Sequence, residues 1–349
     1  TFNPGGTDAT FASTSHRGLV EITSTGDNNQ LVYIKKGFVN IKNTNSKLIG
    51  DNTKGNTGIY SYGAYPNTGY ETASTSTNSS NEATISLKKT ENGTGIYVKG
   101  EVHNYGTIAN GETGLGGSPN RTRSIFTNTG EVTVTGKGAR GLISDLSYFT
   151  NTGKITLDGS SVSDTVGAVG FMAVNGGYLK STGESTIKVS GKSSVGLYVN
   201  RGTMNKVTST ELFVENAKVE ANDGATNVYA NAGTINLGTA GTTTKETATV
   251  NMTTGKDSLT FNNAYSYVDG KGVTQFDSTK NGKINLLGTV NVDVKEGGTV
   301  FYLRGDGVNP PLTNTISAIF DNHLERLYLN MNKKATLISA SNVTANLSS

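Results

Sequence analysis

Cysteine is absent from the 349 residues, which excludes disulfides, thiolate nucleophiles and thiolate metal ligands. In an exported chain of this length, zero cysteine fits a polypeptide that crosses a pore unfolded, without premature cross-links. Proline is scarce, at 5 residues, and charged side chains make up only 16%. The formal net charge is +3, no run of lysine or arginine forms a basic stripe, and no base-stacking aromatic pattern accompanies the charges, so nucleic acid is not expected as a partner. No stretch approaches the roughly 18 apolar residues of a transmembrane helix. Helical periodicity is nearly missing as well. Thr1 is not a start residue and no signal peptide follows it, so the chain reads as a segment excised from something larger.

What fills the chain is glycine, 45 residues, with asparagine, threonine and serine at most polar positions and valine, isoleucine, leucine and threonine alternating between them. That composition points to many short strands joined by tight turns. The stretch FTNTGEVTVTG, Phe126 to Gly136, returns almost unchanged as FTNTGKITLDG, Phe149 to Gly159. Self-similarity at such a period, about 23 residues, marks a solenoid. A looser copy, VHNYGTIAN, runs from Val102 to Asn110, and weaker ones begin at Leu179, Tyr229 and Asn281. Each unit has a second apolar run opened by a small residue. Val132 leads to Gly141, Ile187 to Gly196, Val290 to Thr299 and Ile85 to Gly95, at a nearly constant step. Ile155/Gly170 and Ile41/Gly58 fit with longer loops between them.

One unit therefore reads strand, turn, strand, turn, strand, and returns the chain to its start one strand spacing higher. The expected fold is all-β, a right-handed parallel β-helix of about 23 residues per coil, the hand following from the crossover preference of parallel strands. About 12 coils would make a rod of about 60 Å. Val132 and Val134 are expected to stack inward under Ile155 and Leu157, and Phe126 on Phe149. Asn104, Asn128 and Asn151 are expected at one repeated turn, hydrogen-bonding along a ladder and tolerating a left-handed backbone, followed by Gly106, Gly130 and Gly153 for a bend or a close backbone approach. Stacking explains all of these positions without a function.

The chain is expected to form one solenoid over 1–349, with regular coils over about 80–305 and less regular ends at 1–60 and 315–349. Loop insertions are expected at 61–82, 109–120, 239–247, 262–281 and 304–314. Strands are expected near Gly18–Ile22, Leu31–Ile34 and Phe38–Ile41, and a short helix or a strand pair over Thr315–Leu329. Insertions on a solenoid flank often carry binding. Two stand out. The first holds Tyr60, Tyr62, Tyr65 and Tyr70 ahead of a Ser/Thr/Asn tract; tyrosine supplies rigid amphipathic contact area and stacks on sugar rings. Deleting Tyr65 to Asn81 is expected to leave the core folded. The second holds Arg304-Gly305-Asp306, an integrin-type tripeptide, although chance in a glycine-rich chain also explains three residues.

No catalytic constellation is legible. His16, His103 and His323 lie far apart and no G-x-S-x-G elbow occurs. Asp145, Asp158 and Asp164 fall within one or two coils, yet aspartate in turns is the ordinary explanation. No metal-loop motif is present and nothing calls for a cofactor, so the chain is not expected to be an enzyme.

The units carried by Asn128–Gly136, Asn151–Gly159, Lys192–Val199 and Tyr229–Leu237 resemble the passenger domains of monomeric type V autotransporters, above all the very large adhesins of fusobacteria. The likeness covers about residues 80–305. It implies a bacterial cell-surface location reached through the outer membrane, with a C-terminal membrane barrel outside this segment. It further implies a monomer whose partners are other bacteria and host-cell receptors or glycans, galactose-type sugars among them. A β-helical stalk that projects a distal tip is the alternative, and a polysaccharide-active enzyme a third reading. Recognition is expected on the insertions rather than on the coil faces.

Overall fold

The alternation of β-branched and polar residues seen in the sequence becomes three stacked faces. The computed structural model describes residues 9–10, 18–35, 39–63, 79–102, 121–122, 124–200, 210–231, 233–238, 249–264, 282–304 and 326–341. Among them the strands form parallel sheets of nine, ten and ten strands, with one two-stranded antiparallel pair. The chain visits the three sheets in a fixed order and then starts the next rung, so the fold is a parallel β-helix.

Ser124–Asn128, Val132–Lys137 and Arg140–Asp145 make one rung; Ser147–Asn151, Ile155–Ser160 and Val169–Val174 lie directly on it. The nine-stranded sheet is called here the asparagine face. The sheet through Val132–Lys137 is the threonine face, and the sheet through Arg140–Asp145 is the tyrosine face. Val132 pairs with Ile155 and Val134 with Leu157, all four at most 1% exposed, while Thr133 and Thr156 between them face out. A one-residue shift would expose the whole apolar set, so the register is firmly specified. The buried side chains form one cluster that runs from Ile34 to Leu303, and the later Leu327, Leu329 and Ile338 pack against it.

The asparagines differ from the expected turn residues. Asn128 and Asn151 end strands with their side chains buried inside the helix, and neither has a positive φ. Asn81 Nδ2 donates to Asn128 Oδ1 at 2.8 Å, Asn128 Nδ2 to Asn151 Oδ1 at 2.7 Å, and Asn151 Nδ2 to Ser181 Oγ at 2.9 Å. The second amide hydrogen of each closes the corner, onto the carbonyls of Ala83, Gly130 and Gly153. Gly130 and Gly153 serve close approach: a Cβ on Gly153 would strike the Gly130 carbonyl. Both edges of Ser124–Asn128 are taken, by Ser79–Asn81 and Ser147–Asn151, so Asn81 holds the place expected for Asn104, which lies outside the described residues. Phe126 and Phe149 meet edge to face, centroids 5.5 Å apart at 85°.

The short spacing of the FTNTG repeat is not the rule, although the step from Glu211 to Thr234 on the asparagine face repeats it. The steps from Ile155 to Ser185, from Ala217 to Val250 and from Ile85 to Val132 are all longer than that from Val132 to Ile155, because segments of varying length leave the corners. Ten described rungs span about 43 Å at the usual strand spacing, not the longer rod that a short uniform coil implies. Described residues toward both ends also belong to coils. Glu21–Thr23, Gln30–Lys35, Val39–Ile41 and Lys47–Ile49 join the three sheets, and Arg326–Met331 and Thr336–Ser341 add a last rung. Leu48, not Ile41, is the register partner of Ile85; Ile41 sits one face earlier, against Asn81. The look-alike segments Thr234–Leu237 and Lys283–Leu286 likewise lie on the asparagine face. An inward-alternating run after an Asn-x-Gly corner suits more than one face.

Candidate binding surface

The outward residues of the tyrosine face form a column along the rod. Tyr33, Tyr60 and Tyr97 occupy consecutive rungs, Ile143 and Met172 the next two, then Tyr198 and Tyr229. Asn262 and Tyr302 continue it. Tyr33 and Tyr60 stack with centroids 5.6 Å apart, Tyr60 and Tyr97 meet edge-on at 5.1 Å, and Tyr198 and Tyr229 lie 5.3 Å apart. Around the next corner, on the asparagine face, Tyr148 and Tyr178 stack nearly parallel at 4.3 Å and Phe213 tilts onto Tyr178 at 5.3 Å. These rings are partly exposed. Aromatic residues fit the pleated surface of a sheet, so a single one is unremarkable; two columns flanking one corner are a surface with a character.

The threonine face is different. Its outward positions stack Thr133, Thr156, Thr186 and Lys218, and beside them Asp158, Lys188 and Glu220. The Lys188–Glu220 pair, 3.9 Å apart and largely exposed, contributes little.

Long connections join the tyrosine and asparagine faces, and 239–248 joins the asparagine face to the threonine face. Residues 64–78, 103–120, 201–209 and 265–281 each lie in the chain between a strand of the tyrosine face and the next strand of the asparagine face. The antiparallel pair Glu101–Val102 and Arg121–Thr122 closes the base of the second. In other rungs the corner is tight: Leu146 alone, at φ 49°, separates Asp145 from Ser147, and Asn175, at φ 52°, and Gly176 turn the next.

Asp145 stands at this corner and is 7% exposed. Tyr97 donates its hydroxyl to Asp145 Oδ2 at 2.9 Å and Asn175 Nδ2 donates to Oδ1 at 2.8 Å. Burial first, then the Asp145 charge and its hydrogen bond, raise the Tyr97 phenol well above its ordinary value, so Tyr97 stays a donor. Tyr60 is raised too, by burial and then by Tyr33 and Asp145. Tyr178 is raised by burial and by its hydrogen bond with Tyr148. Further along the rod, Asn200 Nδ2 donates to Tyr198 Oη at 2.8 Å.

Several residues singled out from sequence fall elsewhere than expected. Tyr60 and Tyr62 belong to the strand Thr57–Tyr62, in register with Tyr97 and Lys99, and not to a loop; Ser61 is inward and buried. The run TGIYSY repeats the pattern of TGIYVK, Thr94–Lys99, and that was the available signal. Ser79–Asn81 is likewise a strand, Asn262–Ala264 ends one, and Arg304 ends Thr299–Arg304. Tyr65, Tyr70, Asp306, His16, His103 and His323, and the spans 109–120 and 239–247, lie outside the described residues. Asp158 is exposed on the threonine face and Asp164 in the turn after it, so the three aspartates do not converge. Among the described residues no three His, Asp or Glu side chains group as metal ligands. Sequence reading missed segment 201–209, the tyrosine column and the Tyr97–Asp145–Asn175 cluster, whose members come from three successive rungs.

No protein-family profile and no curated protein matches the chain. Among solved structures, a match is the crystal structure of a TibC-catalysed, hyper-glycosylated fragment of TibA spanning its residues 55–350. It is 12% identical over 94% of each chain, with a TM-score of 0.15, a level that carries no inference about fold or function.

Proposed function

We propose that this chain is a binding segment of a surface-exposed bacterial adhesin, exported as part of an autotransporter passenger, that attaches to host cells or to other bacteria. The observation that carries the reading is the two tyrosine columns flanking the corner between the tyrosine and asparagine faces, which four long connections join. A spacer needs no such columns; partly exposed, stacked aromatic side chains are what selective contacts use. The sequence resemblance to autotransporter passengers and the parallel β-helix support the export route, since a cysteine-free chain of locally stacked coils can fold as it emerges. The partners in this reading are host-cell receptors or glycans, galactose-type sugars among them, and partner bacteria. The stalk reading rests on the uniform threonine face.

The test is adhesion. Beads coated with the purified chain are incubated with host epithelial cells and with a panel of bacteria, beside uncoated beads. The account expects retention of coated beads on at least one cell type and release by soluble chain. Retention no better than for uncoated beads on every cell type favours the stalk.

A further inference from the structure

Asp145 is a carboxylate withdrawn from water at an outer corner of the solenoid, and among the described residues it makes no ion pair. Its two partners are neutral donors from different rungs, one from Thr94–Lys99 and one just after Val169–Val174. A carboxylate accepts about four hydrogen bonds, so each oxygen keeps a lone pair. Asn175, partly exposed, uses one amide hydrogen on Asp145 and has a second hydrogen and an oxygen without a partner among the described residues. Acceptors and a donor thus sit together, fixed in direction, beside the rings of Tyr97 and Tyr60.

We propose, as a deepening of the adhesin reading and resting on it, that Asp145, Asn175, Tyr97 and Tyr60 form a subsite for a neutral saccharide. A sugar hydroxyl both donates and accepts, which suits Asp145 and Asn175 side by side, and the apolar face of a pyranose suits the tyrosine edge. A cationic ligand fits less well. Lys99 is the register neighbour of Asp145, and the Arg140 charge acts on the Tyr97 phenol, so the corner is not a net anionic spot. An anion would meet Asp145. Past the cluster the column continues through Met172 to Tyr198 with its Asn200, so a linear saccharide would lie along the rod.

The test measures binding of the full chain to an array of neutral oligosaccharides ending in galactose, glucose or mannose, and to tetralysine peptide. Parent, Tyr97→Phe, Asn175→Gly, Asp145→Asn and Lys188→Ala are compared, the last on the threonine face. Tyr97→Phe keeps the ring and Asn175→Gly suits the positive φ, so both report even if Asp145→Asn fails to fold. The expected result is saccharide binding by the parent, weakened tenfold or more in Tyr97→Phe and Asn175→Gly and unchanged in Lys188→Ala. Saccharide binding that both variants retain overturns the subsite and leaves the adhesin reading standing. So does adhesion to cells with no saccharide bound. Tetralysine binding lost in Asp145→Asn, with no saccharide bound, overturns the neutral ligand. Binding to neither cells nor saccharides overturns the subsite and the adhesin reading together.

Discussion

At the scale of the residue, Asn128 is the side chain with most depending on it. It accepts from Asn81, donates to Asn151 and caps its own corner at Gly130, all without solvent. Asn128→Ala leaves a donor on Asn81 and an acceptor on Asn151 buried and unpaired, at about 1–3 kcal/mol for each group. Denaturant melts are expected to show a loss of about 2–5 kcal/mol; a loss under about 1 kcal/mol would mean water or a neighbour replaces the ladder. Tyr97 gives a pH prediction. Its phenol is neutral when protonated and its folded value lies above its ordinary value of 10.0. Above about pH 10 the unfolded chain has released the proton that the folded chain keeps, so stability falls as pH rises from there and is unaffected below. Tyr97→Phe is less stable at neutral pH, having lost the bond to Asp145, but its stability should fall less steeply in alkali. Parallel pH profiles for the two proteins would contradict the assignment.

At the scale of the element, one strand shows how inward residues tie rungs together. Ile155, 1% exposed, has Val132 below it and Ser185 above. Ile155→Asp places an unpaired charge in that stack and is expected to cost about 4 kcal/mol or more, read as a collapse of the melting transition. A melt like the parent's would mean Ile155 faces water. The loop boundary makes a second prediction. Deleting 65–81 removes Ser79 and Asn81, both fully buried, and should destabilise the fold, whereas deleting 66–77 spares the ladder and should leave the melt close to the parent's. Equal melts for the two deletions would contradict the ladder.

Legibility follows the same division. FTNTG with its near-identical echo showed period-2 alternation, inward Val132 and Ile155, and the parallel coil, because those are local and repeat at the shortest closed rung. The ladder partner of Asn128 was not legible: Asn81 lies far back in the chain across segment 103–120, while VHNYG offers a nearer copy of the motif. Tyr60 was visible as an aromatic residue but not as a strand residue, since its neighbours Tyr65 and Tyr70 suggested a loop. Asp145 could be named as a carboxylate; its pairing with Tyr97 and Asn175 exists only once three rungs are stacked.

At the scale of the whole molecule, the three faces are unequal. The interior is one apolar column with an amide ladder along one wall. The threonine face offers water a regular lattice of hydroxyls and alternating charges. The tyrosine face and the corner beside it gather the stacked, partly exposed rings and the buried carboxylate, while Tyr328, 52% exposed, stands at the last rung of the threonine face. A rod that served only as a spacer would be under no pressure to sort its surface this way. Adhesion through the aromatic corner is therefore the central claim. It is tested by coating beads with parent chain, with a tyrosine-face variant carrying Tyr198→Ser and Tyr229→Ser, and with a threonine-face variant carrying Lys188→Glu and Lys218→Glu. Each variant is first matched to the parent's melting curve, and bead retention on the responsive cell type is then counted. The account predicts loss of retention for the tyrosine-face variant and parental retention for the threonine-face variant; the reverse pattern would contradict it.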